Sequence, residues 1–195
     1  MNNRKRTTQE LTLTALLTAL AIVIPLYMPV KAPPFGPFTA TLASHTPTII
    51  AMFISPMSAI VTSLGSAFGF LFAYNPVVSA RAAMHVVFAL TGALMIRKRM
   101  NFFLTVAVTL VLHTLSDMGI VWLIAAPLGM GEILKGEGMA IAQAVIGVGT
   151  SLHHIVDYAI AMAIIAPLSK AFKNLFPHTF RKKGANYSKK KGANL

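Results

Sequence analysis

Apolar segments separated by short polar or proline-containing stretches dominate the chain from residue 10 to residue 172. An α-helix needs about 20 mainly apolar residues to cross a bilayer, and most of these segments approach that length. The pattern predicts an all-α membrane protein, a bundle of six transmembrane helices. The predicted helices span residues 10–28, 42–54, 57–73, 78–96, 102–126 and 142–172.

The stretch 29–53 interrupts this pattern between the first and second predicted helices. It opens with four prolines, continues with hydroxyl side chains and His45, and only then becomes apolar. Loop backbone is costly in a bilayer unless it covers a cavity or meets water. We therefore interpret the stretch as the lid and first wall of a small-molecule pocket, with Thr41, Ser44 and His45 offering hydrogen-bonding groups at its top.

Composition agrees with a membrane protein. Of the 195 residues, 55% are hydrophobic and 11% are charged, and the mean hydropathy is +0.68. Soluble domains carry about 25% charged residues, so we expect a multi-pass protein of the cell membrane. The length suits one transmembrane substrate-binding domain, residues 1–172, followed by a basic tail, residues 173–195, that we predict to be disordered. The absence of cysteine excludes disulfides and thiolate metal sites.

The net charge of +12 comes mainly from three clusters of lysine and arginine. One precedes the first helix, one is the loop 97–99, and one lies in and beside the tail. The positive-inside rule assigns such clusters to the cytoplasm, and six crossings bring all three to one side. We expect both termini in the cytoplasm and the lipid bilayer as a partner. We expect no nucleic-acid binding, because the basic residues are not interleaved with aromatic ones and no soluble fold is indicated.

Three of the predicted helices carry ionisable side chains four positions apart, which places the paired residues on one helix face. Within spans, such residues usually face a bundle interior or a wet cavity. They predict a polar cavity, open to the outside and covered by the stretch 29–53. The alternative is that they only hold the helices together. The sets are Arg81 and His85, His113 and Asp117, and His153 and His154 with Asp157.

The chemistry of these side chains suits a small polar, aromatic solute. Arginine grips a carboxylate or phosphate through two parallel hydrogen bonds. Carboxylates and imidazoles bind ring nitrogens and hydroxyl groups, and aromatic side chains stack on a flat ring. The candidate substrate-binding residues are Arg81, His85, Asp117, His154, Ser44, His45, Thr41 and Trp122.

A divalent-metal membrane transporter is the alternative function. The HxxxD pattern on the fifth helix and the HHxxD pattern on the sixth can present imidazole and carboxylate ligands to one ion. The number of carboxylates is low, however, and no HExxH, GxSxG or phosphate-binding glycine loop occurs. We assign no metal ligand and no catalytic residue, and we expect the protein not to be an enzyme.

Small residues recur at helical spacing on two helices, at Ala15 and Ala19 and at Gly65 and Gly69, and permit close helix contacts. Together with FTATLASHTPTIIAMFISP and RAAMHVVFALTGAL, the alanine face makes residues 9–172 resemble the substrate-binding S components of energy-coupling factor (ECF) vitamin transporters. The resemblance implies six helices that bind one vitamin near the outer face, with the loop after the first helix as a gate. It also implies docking through the alanine face on a transmembrane coupling (T) subunit with two cytoplasmic ATPases. ATP is then used by the partners, and this chain carries no cofactor.

The residues leave the choice of vitamin open. Histidine, aspartate and aromatic side chains favour a pyridine or pyrimidine vitamin, such as a B6 vitamer, hydroxymethylpyrimidine or niacin. Arg81 favours a carboxylate, which niacin and pantothenate carry. The N-terminus, MNNRKRTTQ, lacks the extended metal-binding arm of the nickel and cobalt members of the family, which argues against those metals as cargo.

Overall fold

The computed structural model describes residues 3–35, 38–125, 136–173 and 175–176. Within them, the backbone forms a two-stranded hairpin and seven α-helical segments. These are α1 (Asn3–Tyr27), β1 (Lys31–Phe35), β2 (Phe38–Thr41), α2 (Thr46–Met52), α3 (Pro56–Ala73), α4 (Pro76–Ala83), α5 (His85–Arg97), α6 (Phe102–Ala125) and α7 (Glu137–Ala171). Five helical units are long and apolar enough to cross a membrane, and one of them joins α4 and α5. The predicted helical membrane architecture is confirmed for these five.

The second predicted span differs most from the prediction. Its helix, α2, has seven residues instead of the thirteen of 42–54 and is about 10 Å long. The residues before it form a β-hairpin in which Lys31 pairs with Thr41. A residue that precedes proline avoids the helical region, and the threonines of β2 favour an extended backbone. The all-α membrane architecture is therefore confirmed, and the difference is local: the stretch predicted as a lid is a β-hairpin followed by a turn and a short helix.

Helices α1 and α3 pack side by side in the same direction. The hydroxyl oxygens of Thr14 and Ser58 are 2.7 Å apart, and one turn further along both helices those of Thr18 and Thr62 are 3.4 Å apart. Because the two helices are parallel, residues 28–55 must return across the bundle between them. The hairpin, the turn and α2 together make this second crossing.

The small-residue face of α3 permits this close contact. A Cβ atom added at Gly69 would lie 2.5 Å from the carbonyl oxygen of Ile22, and one added at Gly65 would lie 2.5 Å from a methyl carbon of Thr18. A side chain at position 69 has no room unless the backbone of α1 moves, and one at position 65 requires the Thr18 side chain to shift. The glycine face predicted for close helix contact is therefore used within the chain, against α1.

The remaining long helices alternate in direction. Where two neighbouring helices touch, residues early in one helix contact residues late in the other. Such contacts join Ser79 to Ala67, Arg81 to Asp117, Gly92 to Thr109, Asp117 to Thr150 and Thr109 to Tyr158. The start of α1 and the end of α7 therefore lie at the same end of the bundle, as six crossings require.

Helix α2 is the centre of the hydrophobic core. All seven of its residues are buried. Met52 lies against α5 at Gly92, where an added Cβ would be only 2.1 Å from the methionine methyl group. The end of the described chain also packs here, since Leu175 and Phe176 are only 2% and 3% exposed. The packed core thus continues past residue 172, the predicted end of the domain.

Other helix boundaries differ by smaller amounts. The first helix begins before residue 10 and continues through Pro25. The last begins at Glu137 instead of 142 and is helical throughout, including residues 147–151. Residues 126–135 of the predicted outer loop, and the tail from residue 177, lie outside the described residues.

The outer face of α1 carries the two alanines predicted to dock a partner. Ala15 and Ala19 are exposed, whereas Thr14, Leu17 and Ala21 on the opposite face are buried within the bundle. The packing of the chain therefore leaves the alanine face free for lipid or another subunit.

Candidate substrate-binding site

A polar cavity lies between the hairpin and the helices α3 to α7. The cavity is narrow, with a volume of only about 20 Å³ open to water. That is room for a water molecule or two, so a ring-sized ligand needs side chains or the hairpin to shift. The walls are formed by Thr39, Ala40, Thr41, Ser44, His45, Phe70, Val78, Arg81, Ala82, His85, His113, Asp117, Thr150 and His153.

Asp157 on α7 holds the turn between the hairpin and α2. Its carboxylate oxygens accept hydrogen bonds from the backbone N–H groups of Ala43, at 2.9 Å, and of His45, at 2.7 Å. The same carboxylate lies 3.1 Å from Nδ1 of the His45 ring. Ala43 has a positive φ of 63°, a conformation that alanine rarely adopts, and these contacts hold it there. Asp157 thereby fixes both the turn and the orientation of His45.

His45 stands at the centre of a cluster of imidazole rings. Its Nε2 lies 3.2 Å from Nε2 of His85, and its ring centroid lies 4.6 Å from that of His113 and 4.5 Å from that of His153. Phe88 packs under the cluster, with its ring centroid 4.7 Å from that of His113. Four elements thus bring their histidines to one wall of the cavity.

An ion pair between α4 and α6 forms another part of the wall, beside His113, whose Nε2 lies 3.8 Å from Oδ2 of Asp117. Nη2 of Arg81 donates to Oδ2 of Asp117 at 2.6 Å, and the hydroxyl of Thr150 donates to the same oxygen at 3.1 Å. The two residues are 5% and 1% exposed. Taking such a pair out of water is costly and needs close, well-directed contacts. The predicted pairing of Arg81 with Asp117 is therefore present, and it occurs in the wall of the cavity.

Most of the predicted binding residues are brought together here. Six of the eight candidates line the cavity, namely Thr41, Ser44, His45, Arg81, His85 and Asp117. The hydroxyl oxygen of Thr41 also contacts that of Tyr74 at 3.0 Å, which links the end of the hairpin to the turn after α3.

Two candidates lie elsewhere. Trp122 is 64% exposed and does not line the cavity, because it projects from the outer face of α6. His154 is fully buried behind the cavity wall, where its Nδ1 lies 3.0 Å from Nδ1 of His113 and its Nε2 lies 3.3 Å from the hydroxyl of Thr109. Its neighbour His153 lines the cavity instead, with Nε2 3.1 Å from the Ser44 hydroxyl.

The list of candidate binding residues left out two cavity residues of α7, although one of them belongs to the ionisable set predicted on this helix. Thr150 and His153 face the cavity, and Asp157 lies on the same helix face, one turn further on. The spacing of four between His153 and Asp157 was a usable signal, since it marks one face and excludes His154 from it.

Two groups of these side chains have the spacing of metal ligands. One joins His45, His85 and His113, and the other joins His45, His153 and Asp157; within each group the ligand atoms lie within 4.8 Å of one another. Both contain His45, so neither is the HxxxD or the HHxxD set that the sequence suggested.

The fold and the site define a multi-pass membrane protein that holds a small polar cavity under a hairpin. The chain is 31% identical over 176 residues to the niacin transporter NiaX of Lactococcus lactis subsp. cremoris (strain MG1363), an alignment that covers 87% of this chain and 78% of the relative. No protein-family profile and no solved structure matches the chain. The chain belongs to the family of S components of ECF vitamin transporters, which confirms the resemblance described above.

Proposed function

We propose that this membrane vitamin transporter is the substrate-specific S component of an ECF-type importer and that it binds a pyridine carboxylate of the niacin type. Two observations support the substrate class: the relationship to a niacin transporter and the buried guanidinium of Arg81 in the cavity wall. Among the vitamins that the sequence analysis kept as candidates, niacin has both an aromatic ring and a carboxylate group. B6 vitamers and hydroxymethylpyrimidine lack the carboxylate, and pantothenate lacks the ring.

Arg81 carries the proposal. Its guanidinium lines the cavity and contacts Asp117 through Nη2. A ligand carboxylate beside Arg81 accepts charge-assisted hydrogen bonds, each worth about 1.5–3 kcal/mol. The ring then extends toward the hydroxyls of Thr41 and Ser44 and the imidazole of His153, which offer partners for the pyridine nitrogen.

The hairpin acts as the gate in this proposal. The cavity is too narrow for a pyridine ring, and β2 with the turn after it supplies five of its wall residues. A lid held by Asp157 can open without disturbing the core around α2.

The proposal extends to orientation and partners. The hairpin follows the end of α1, so the cavity lies at the end of the bundle opposite the termini. With the basic clusters and both termini in the cytoplasm, the cavity faces outward. Ala15 and Ala19 dock on a transmembrane coupling subunit, and two ATPases of the complex supply the energy for uptake, so that this chain carries out no chemical reaction.

Mass spectrometry of small molecules that remain bound through purification tests the substrate class. Protein expressed in a vitamin-replete medium should yield niacin on denaturation, at an amount close to that of the protein. A parallel melting experiment with niacin, pyridoxine, hydroxymethylpyrimidine and pantothenate should show the largest stabilisation with niacin. Recovery of another vitamin, or no stabilisation by niacin, would overturn the assignment.

A further inference from the structure

We propose that the imidazoles of His45, His85 and His113 bind one divalent transition-metal ion of the zinc class at the base of the cavity. The ion has three protein ligands and an open position that faces the cavity. The binding of the ion is independent of the proposed function. The role of the open position in binding the vitamin, described below, rests on the proposed function.

The hydrogen bonds around the cluster direct two imidazole lone pairs toward one point. Nδ1 of His45 donates to the carboxylate of Asp157, which leaves Nε2 as the ring's lone-pair nitrogen. On the far side of the cavity wall, the hydroxyl of Thr109 donates to the carbonyl of Thr105 and accepts from Nε2 of His154. Nδ1 of His154 is then an acceptor, so Nδ1 of His113 donates to it at 3.0 Å. His113 therefore also keeps its lone pair on Nε2.

The Nε2 atom of His113 has no hydrogen-bond partner within the described part of the chain, although the side chain is 1% exposed. A buried polar atom without a partner costs about 1–3 kcal/mol. Nε2 of His45, which also has a free lone pair, lies 3.2 Å from Nε2 of His85. An ion between the three rings accepts the lone pair of His113 and removes this cost. His85 binds the ion through Nε2 only as the tautomer with its proton on Nδ1, an atom that has no hydrogen-bond partner among the described residues.

The geometry is close to that of a three-histidine site. Zinc binds imidazole nitrogens at about 2.0–2.1 Å, so tetrahedral ligands are about 3.4 Å apart. The separation of His45 and His85 already has nearly this value, and the three ligand atoms lie within 4.8 Å of one another. The contacts of His45 with Asp157 and of His113 with His154 correspond to the outer hydrogen bonds that orient metal-binding histidines.

The second group, His45 with His153 and Asp157, is less suited to an ion. The carboxylate of Asp157 already accepts from the backbone N–H groups of Ala43 and His45 and from the His45 ring. A metal there would have to displace bonds that hold the turn. In the first group, an ion displaces only the contact between Nε2 of His45 and Nε2 of His85, which does not hold the turn.

The charge around the cavity supplies an independent reason. The wall contains the guanidinium of Arg81 and the carboxylate of Asp117, and the carboxylate of Asp157 lies directly behind His45, which gives a net charge of −1 with neutral imidazoles. Lys31 does not contribute, because it is exposed and its Nζ contacts the carbonyl of Pro25. An anionic vitamin would raise the negative charge to −2 in a buried site. A divalent ion changes the net charge to +1, and a vitamin carboxylate with one oxygen on Arg81 and the other at the open position of the ion makes the site neutral.

Metal content of the purified full-length chain tests the site directly. Protein produced without a polyhistidine tag is incubated with Zn²⁺ alone, dialysed, and analysed by inductively coupled plasma mass spectrometry. We expect close to one ion per chain, and loss of most of it in His113→Ala and in His85→Asn. Size-exclusion elution and melting curves establish that the variants are folded. Substitution by Co²⁺ should give the intense visible absorption of a tetrahedral site in the wild type.

A further variant separates the two groups of ligands. His153→Gln should retain the ion if it is bound by the three histidines, and loss of the ion in this variant would place it in the second group and overturn the assignment. A wild-type protein that retains no Zn²⁺ and shows no Co²⁺ absorption would also overturn it.

Niacin titrations with and without a chelator distinguish this inference from the proposed function. We expect removal of the ion to weaken niacin binding at least tenfold. Tight niacin binding by metal-free protein would leave the proposed function in place and contradict the role of the open position. Bound metal without niacin binding would leave the metal site in place and contradict the proposed function.

Discussion

Asp157 and His45, 112 residues apart in the sequence, make two contacts through one carboxylate oxygen: the backbone N–H of His45 donates to it at 2.7 Å, and Nδ1 of its ring lies 3.1 Å away. This pair joins the last helix to the turn that follows the hairpin. It couples the position of the proposed gate to the orientation of the central imidazole in the cavity.

Replacement of this carboxylate should loosen the gate. In Asp157→Asn, an amide N–H₂ replaces one of the acceptor oxygens that face the backbone donors of Ala43 and His45, so at least one buried donor loses its partner. We expect a loss of about 2–4 kcal/mol in the stability of this region. Hydrogen exchange of residues 38–46 should become faster in the variant, with little change in α6. Equal exchange in variant and wild type would show that the carboxylate does not hold the hairpin.

The contact between α1 and α3 allows a test with a matched control. Gly69→Ala should destabilise the protein by about 1–3 kcal/mol, because its Cβ would lie 2.5 Å from the carbonyl oxygen of Ile22. Gly119→Ala is the control, since an added Cβ there meets no atom within 4 Å. Melting curves in one detergent should show a lower midpoint for the first variant and an unchanged or higher one for the second. Equal midpoints would contradict the close packing.

The sequence was informative about the long apolar helices and about residue pairs on one helix face. Arg81 and His85, four apart, both reach the cavity, and so does the His113–Asp117 pair on α6. Periodicity alone decides such features, because a helix places residues i and i+4 side by side.

Features that depend on tertiary contacts were not predictable in the same way. The length of α2 is set by the hairpin before it and by burial on all sides, and no local pattern distinguishes a buried short helix from a span. The orientations of His154 and Trp122 depend on which face of α7 and of α6 meets the cavity. The central position of His45 follows from Asp157, a residue far away in the sequence.

The exposure of Trp122 makes a further prediction. Trp122→Phe should leave vitamin binding unchanged, because the side chain is 64% exposed and lies outside the cavity wall. His153→Ala should weaken binding by about tenfold, the loss expected for one hydrogen bond of about 1.4 kcal/mol. Titration calorimetry on both variants measures the difference. A large loss in the tryptophan variant with none in the histidine variant would contradict the placement of the cavity.

The docking face on α1 can be separated from the vitamin site. The double variant Ala15→Leu and Ala19→Leu should lose co-purification with the coupling subunit while it still binds the vitamin, because both positions are exposed and neither lines the cavity. Ala107→Leu, at an exposed alanine of α6, is the matched control and should co-purify normally. Retention of the complex by the double variant would place the docking surface elsewhere.

Titration calorimetry with niacin and nicotinamide tests the central claim most directly. The two ligands share the pyridine ring and differ in the carboxylate, which Arg81 is proposed to bind. We expect niacin to bind at least tenfold more tightly than nicotinamide to the wild type, and we expect Arg81→Gln to remove this preference, corresponding to about 1.5–3 kcal/mol. Equal affinity of the wild type for the two ligands, or an undiminished preference in the variant, would contradict the account.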